Sequence, residues 1–506
     1  MAAFKYSIVF VFCFFSIFGH AQSGYKITFN MKNCADTLAY LTYYQMDKTY
    51  IKDTCTTIKD GKIVFNGKDK LDSGIYSLVN QRKTIVFDFF IDEKTQNLTL
   101  KGDYNTLRRE ASAENSEQQN DFFTYIKFLT DQNEKFVSAK QQFKGLSKKD
   151  SLSKFIALKE VFDKTVQEYE IGAAEKNKGT YFGSFVNLKM EKTLKDIPKA
   201  SNGRPDSLKV YRYYKKHYWD GVDFKDVVIT RNPFFSLKLK AYFENVIVKH
   251  PDSVIVEIDK MMNQPPPDNL LYKLLLAHFT STYETYNVMG FDKVFVHMSE
   301  NYFKKGKAIG TYEDDVIDKI IKRSDKLKPL LIGTIAPSLS MIKSTDRDKM
   351  VKMGFEAVTS SEAVTKIFYE HVDEINKLFY KLHDVVADYL VLMFYDVDCG
   401  HCQKEIPKLQ EVYHKLQKEN KDIKVFSVYT EKEGDKYLKY IEEKKLDWIN
   451  VYDGAFYNNV REKYDVYSTP VIYVLDKNKI IKAKRIAVEQ LEDIVKAMEL
   501  EYSKAK

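Results

Sequence analysis

Glycine and proline are both scarce in this chain of 506 residues, at 20 and 11 respectively. That is about half or less of average usage, which excludes collagen-like and linker-rich architectures and suits long helices. An excess of one charge is also missing. The 79 basic and 71 acidic residues leave a formal net charge of +8, and with no dense basic tract among them nothing calls for a polyanion, so no nucleic-acid partner is expected. Beyond one run near the start, no stretch is both long and free of charge, so no stable membrane span is expected after that run is removed. No fixed-period repeat is visible. The histidines at 217, 250, 278, 297, 371, 383 and 414 form no HxxxH or HExxH arrangement, and no metal is assigned.

What is present is apolar material in quantity: 44% of residues are hydrophobic and 30% charged, a globular composition far from that of a disordered chain. At roughly 150 residues per domain the length predicts about three domains. Residues 1–21 read as a secretory signal, with Lys5, the apolar run Tyr6 to Phe18 and then Gly19, His20 and Ala21 before the cleavage point. The run is shorter than the ~20 residues a membrane span needs. Cys13 lies within it and lacks the small residues of a lipoprotein cleavage box. The mature chain is expected to begin at Gln22, in a periplasmic or other extracytoplasmic setting, with four of the five cysteines in an oxidising compartment.

Between Tyr25 and Asp103 short alternating or β-branched segments, among them Lys26 to Phe29, Thr37 to Tyr43, Lys62 to Phe65, Ile75 to Leu78, Thr84 to Ile91 and Asn97 to Leu100, are separated by turn signals at Lys59 to Gly61 and Asp72 to Gly74. They predict a small antiparallel β-sandwich over 22–110. Helix formers dominate from about Ser116 to Lys328, interrupted at Pro198, Pro205, Pro233, Pro251 and Pro265 to Pro267, which predicts an α-helical domain over 111–330. From Ile332 strand and helix signals alternate, so an α/β domain is expected over 331–506. Within it, 338–388 carries a helical pattern from about Ser361 to His383. Val210 to Trp219 mixes basic and aromatic residues, but the four-residue recurrence of Val210, Tyr214 and Tyr218 marks a packed helix face.

Cys399, Gly400, His401 and Cys402 follow directly on the apolar strand Leu390 to Tyr395 and open a helix with apolar positions Ile406, Leu409, Val412 and Leu416. The first cysteine therefore stands at a helix N-terminus, where unpaired N–H groups and the positive end of the macrodipole favour thiolate over thiol. Cys402, about one turn on, can resolve a mixed disulfide. His401, when protonated, adds a positive charge between them. Zinc would need four ligands, and Cys34 and Cys55 belong to a different predicted domain. A purely structural bond across so short a loop would stabilise the fold little. Cys34 and Cys55 flank a predicted hairpin at Asp47 and Lys48, and are a candidate structural disulfide; two buried free thiols are the alternative.

Leu390 to Leu409, with Phe394, the cysteine pair, Glu405 and Pro407, and later Thr469 and Pro470, resembles thioredoxin-fold thiol–disulfide oxidoreductases, in particular their extracytoplasmic TlpA/ResA-like branch. Ile332, Gly333, Ala336 and Pro337 look like the segment opening such domains. The resemblance implies a thioredoxin fold, a helix kinked at Pro407, proton handling by Glu405, and a cis proline at Pro470 with the backbone before it pairing with substrate. It implies protein thiols or disulfides as partners, a further redox partner that resets the dithiol, and no cofactor. Asp398 stands where relatives commonly have tryptophan, and its charge and that of Asp396 should oppose a thiolate at Cys399. Met393 replaces the buried aspartate of many thioredoxins. The CGHC sequence itself resembles protein disulfide isomerases. Upstream, Arg231 to Phe235, His250 to Ser253 and Met289 to His297 resemble a helical domain of uncharacterised function in exported Bacteroidota proteins, and the β region with Asp53, Thr54, Asp60 and Gly61 resembles the small domain that starts them. The function expected is thiol–disulfide exchange with protein partners. A binding or assembly protein using a redox-silent thioredoxin fold as a docking surface, and a reductant for cytochrome c maturation, are the alternatives.

Overall fold

The computed structural model describes residues 24–505 other than 191, 193, 195 and 197. The signal segment, Cys13 and Gln22 lie outside the described residues. The chain divides into two compact units, one running to Ile247 with Asn269–Leu271, the other made of Val248–Asp268 and Tyr272 onward. The helical stretch after the β region is thereby shared between the two units.

In the first unit eight strands, β1 (Tyr25–Lys32), β2 (Ala39–Gln45), β3 (Lys48–Cys55), β4 (Lys62–Gly67), β5 (Gly74–Asn80), β6 (Ile85–Ile91), β7 (Asn97–Asp103) and β8 (Ser112–Ala113), form two four-stranded sheets in the orders β4-β1-β7-β8 and β3-β2-β5-β6. Alternation places Ile27, Phe29 and Met31 of β1 inward, where Phe29 meets Phe65 and Phe89 edge-on at 5.9 and 5.4 Å. Pairing is antiparallel except that β1 and β7 run parallel, Thr28 opposite Thr99. A parallel neighbour needs a long crossover, and here the crossover includes the whole second sheet. β3 shows no apolar alternation, because this edge strand is exposed along most of its length, and only the hairpin expected at Asp47 and Lys48 points to it. Helices Glu117–Gln141, Lys148–Lys176 and Tyr181–Lys189 are capped by the side chains of Ser116, Ser147 and Thr180. Phe122 of the first sits 4.3 Å from Phe90 of β6. Tyr218 is buried beside Tyr242, ring centroids 4.8 Å apart, and donates to the Lys238 carbonyl, as a packing aromatic does. Cys34 and Cys55 carry free thiols in this structure; Cys55 Sγ donates to the Thr57 carbonyl at 3.5 Å, and its residue pairs with Ala39 across the hairpin.

In the second unit β9 (Ser340–Lys343), β10 (Phe379–Lys381), β11 (Tyr389–Tyr395), β12 (Ile423–Tyr429), β13 (Ile449–Tyr452), β14 (Val471–Asp476) and β15 (Ile481–Lys484) form one sheet in the order β10-β9-β13-β12-β11-β14-β15. β11 runs parallel to β12 and antiparallel to β14, and all seven of its residues are buried. Val391, Met393 and Tyr395 face the core under helices Gly400–Lys418 and Leu491–Ala505. Leu390, Leu392 and Phe394 face the opposite core with Tyr464, Tyr473 and Leu339. A strand covered on both faces reads as a continuous apolar run, as this one does. The helical pattern expected from Ser361 to His383 resolves into helices Ser361–Glu370 and Val372–Leu378, with the chain then entering β10. The aromatic pair Phe379 and Tyr380 suits a strand, and pairing with Ile342 and Met341 of β9 settles it. Among the described residues no helix is long and apolar enough to cross a membrane.

Candidate functional site

β11 ends at Tyr395 and the chain turns sharply into helix Gly400–Lys418, with Cys399 as its N-cap residue. Asp396 builds the turn: its Oδ1 accepts the Asp398 N–H at 3.0 Å and its carbonyl accepts the Cys399 N–H at 3.3 Å. The Gln403 N–H closes the first helical turn on the Cys399 carbonyl at 3.0 Å, and its side-chain amide donates to the Val397 carbonyl at 2.9 Å. Cys399 is thus partly exposed at the tip of the helix while Cys402, on the inner face of the first turn, is fully buried.

The two thiols differ in acidity. Burial works against ionisation of Cys399, but it is outweighed by hydrogen bonds from the Thr469 side chain, from the backbone N–H and thiol of Cys402 and from the His401 N–H, and the pKa falls below the ordinary thiol value. Burial pushes Cys402 the other way, up to about 12, with the charge of Cys399 adding to the rise. Its surroundings are the rings of Tyr395 and Tyr440 in the same core, 6.3 Å apart, and the Asp396 N–H offers it only partial compensation. Cys399 is the group that ionises first, and Cys402 stays protonated in reserve.

Thr469 and Pro470 precede β14, the antiparallel neighbour of β11, and this brings them across from the helix tip. The Thr469–Pro470 peptide is cis, and the Cys399 thiol donates to the Thr469 carbonyl at 3.2 Å. The other residues singled out by sequence lie around this pair. His401 is exposed and contributes its backbone N–H to Cys399. Glu405 is three residues beyond Cys402, its carboxylate 2.8 Å from Lys408 Nζ, which also holds Glu489 at 2.8 Å. Pro407 lies inside the helix, and buried Met393 faces the core on the side of Cys402. The Asp398 carboxylate is paired with Lys436, 38 residues later, at 2.9 Å. That pairing has no local sequence signal. Nor does the clamp on the loop leading to Thr469, where buried Asp465 takes the guanidinium of Arg323 through both carboxylate oxygens and that of Arg485 at 2.8 Å.

This arrangement can bind a sulfur atom between a helix tip and a backbone carbonyl, attack it, and resolve the product from within. The AhpC/TSA family model matches residues 372–484, and two domains of unknown function, DUF4369 and DUF5106, match 25–122 and 163–323. No curated protein matches. Among solved structures, a domain of a "possible thiol-disulfide isomerase" from Cytophaga hutchinsonii is 35% identical, covering 35% of this chain and 99% of its own, with a TM-score of 0.27. A thioredoxin-like protein from Bacteroides caccae is 20% identical over 60% of this chain and 98% of its own, TM-score 0.36. A thiol:disulfide interchange protein from Bacteroides sp. is 21% identical over 33% of this chain and 88% of its own, TM-score 0.24. Through its C-terminal domain, the chain belongs to the thioredoxin-fold thiol–disulfide oxidoreductase family.

Proposed function

We propose that this protein is an exported thiol–disulfide oxidoreductase that exchanges disulfides with protein partners through Cys399 and Cys402. The observation that carries the reading is the division of labour between the two sulfurs: one partly exposed, with a lowered pKa and in contact with the Thr469 carbonyl, the other buried and held as a thiol. The Cys399 thiolate attacks one sulfur of a partner disulfide, forming a mixed disulfide, and the partner's other sulfur leaves as a thiolate and takes up a proton. Cys402 then gives up its proton and attacks Cys399 Sγ, which breaks the mixed disulfide and releases the partner's second thiol. Two electrons have passed to the partner, and the protein is left with a Cys399–Cys402 bond. A dithiol partner returns it to the reduced state by the same steps in reverse. Glu405, on the turn after Cys402, and His401 serve as proton carriers in this scheme. Thr469 and Pro470 align the partner's backbone beside the reacting sulfurs.

A trap tests it. Reduced protein carrying Cys402→Ser, mixed with a disulfide-bonded peptide, is expected to accumulate a one-to-one adduct through Cys399, visible by non-reducing mass spectrometry and reversed by dithiothreitol. Wild type is expected to release the reduced peptide without accumulating the adduct. No adduct in the Cys402→Ser protein, or an adduct mapped to Cys34 or Cys55, contradicts the reading.

A further inference from the structure

Two residues before Thr469, the side chain of Tyr467 is 66% exposed. It lines one side of a cleft of about 380 Å³ whose other wall is the segment joining helices Leu270–Glu284 and Asp292–Met298. From that wall Tyr286, Val288 and Met289 face the same cleft and are 40, 50 and 47% exposed. Single exposed apolar side chains are ordinary, but four grouped at one concavity mark a binding surface.

The loop bearing Tyr467 is held firmly. Arg323, from helix Asp314–Leu327, pairs with buried Asp465 and lies 5.6 Å over the Tyr467 ring. Arg485 donates to both the carbonyl and the carboxylate of Asp465. A surface fixed in this way loses little freedom when a ligand arrives. The charges around the cleft balance, with Glu284, Asp292 and Asp465 against Arg323, Lys484 and Arg485. Asp465 is engaged by both arginines and Asp292 by Lys484, so the cleft selects for apolar contact and not for a charged ligand.

We propose that this cleft binds the partner's own chain beside its reacting cysteine, as an extended segment carrying an aromatic or large aliphatic side chain two or three residues from that cysteine. This deepens the oxidoreductase reading and rests on it. The reach follows from chain geometry: the partner cysteine must sit by Cys399 and the Thr469 carbonyl, Tyr467 is two residues away along the loop, and an extended chain advances about 3.3 Å per residue. Because Tyr467, which lines the cleft, stands two residues before Thr469 on the same loop, the occupant is named as the polypeptide that continues from the partner's reacting cysteine. Met289, flexible and polarisable, accepts side chains of different shape and so permits several partners.

The test compares two disulfide-bonded peptides that differ at the second and third residues from the cysteine on both sides, Phe in one and Gly in the other, reacted with the full-length protein. Wild type is expected to exchange the Phe peptide about tenfold faster in kcat/KM, as burial of one aromatic side chain allows. In the Tyr286→Ser, Met289→Ser double variant the ratio is expected to fall to about two or less. Equal rates for both peptides in wild type, or an unchanged preference in the double variant, overturn the cleft while leaving the redox reading intact. Exchange of neither peptide above the Cys399→Ser background overturns the redox reading and the cleft together.

Discussion

Cys399→Ser is expected to lower the rate of exchange with a protein disulfide by at least about 10³-fold, since the variant replaces the attacking thiolate with a hydroxyl that does not ionise at neutral pH. Cys402→Ser is expected to differ in kind: it spares the first attack and stops turnover after one equivalent. The contrast follows from the geometry, because Cys399 is the sulfur a visitor can reach and Cys402 is fully buried. In the wild type the rate should fall as pH drops through the lowered Cys399 pKa, since protonation removes the nucleophile. The rate of release from the mixed disulfide should rise toward high pH, because Cys402 must lose a proton that burial holds on it. Stopped-flow turnover of a fluorescent disulfide peptide across pH separates the two limbs. Similar losses of the first-attack rate in both variants would contradict the division of labour.

Arg323→Ala is expected to destabilise the second unit by about 2–3 kcal/mol, the cost of leaving a buried carboxylate short of a charged partner. Asp465 is 2% exposed and keeps only Arg485 at 2.8 Å once the Arg323 guanidinium is gone. Arg323→Lys should recover a minor part, because an ammonium cannot span both carboxylate oxygens. The chain has two tryptophans, and Trp219→Phe leaves Trp448, buried in the core of the second unit, as the reporter of urea unfolding. A change below about 0.5 kcal/mol would show that Arg485 alone satisfies Asp465.

The parts of the site that lie close together in sequence were legible from it. The apolar run of β11 and the two cysteines opening a helix carry a local signature, whereas Pro407 and the Thr469–Pro470 pair entered through the family resemblance; Thr469, 70 residues from Cys399, lies against its thiol in the structure. The parts that depend on distant residues were not. Nothing near Asp398 announces its partner Lys436, and nothing near Asp465 announces Arg323 from 142 residues away. The pairing of Glu405 with Lys408, which also holds Glu489, is likewise seen only in the structure. In the fold the same division holds. Strands with one apolar face were visible, while exposed β3 and the short edge strand β10 depend on pairing that periodicity does not encode. The parallel pairing of β1 with β7 is likewise a property of the whole sandwich, since an antiparallel partner would carry the same alternation.

Alkylation of the fully reduced protein by iodoacetamide as a function of pH, read by peptide mapping at each cysteine, tests the central claim most directly. The account predicts that Cys399 is modified with a midpoint below that of an ordinary thiol, and that Cys402 stays unmodified in the folded protein until the pH approaches about 12. A Cys399 midpoint at or above that of an ordinary thiol, or modification of both sulfurs in step, would contradict it.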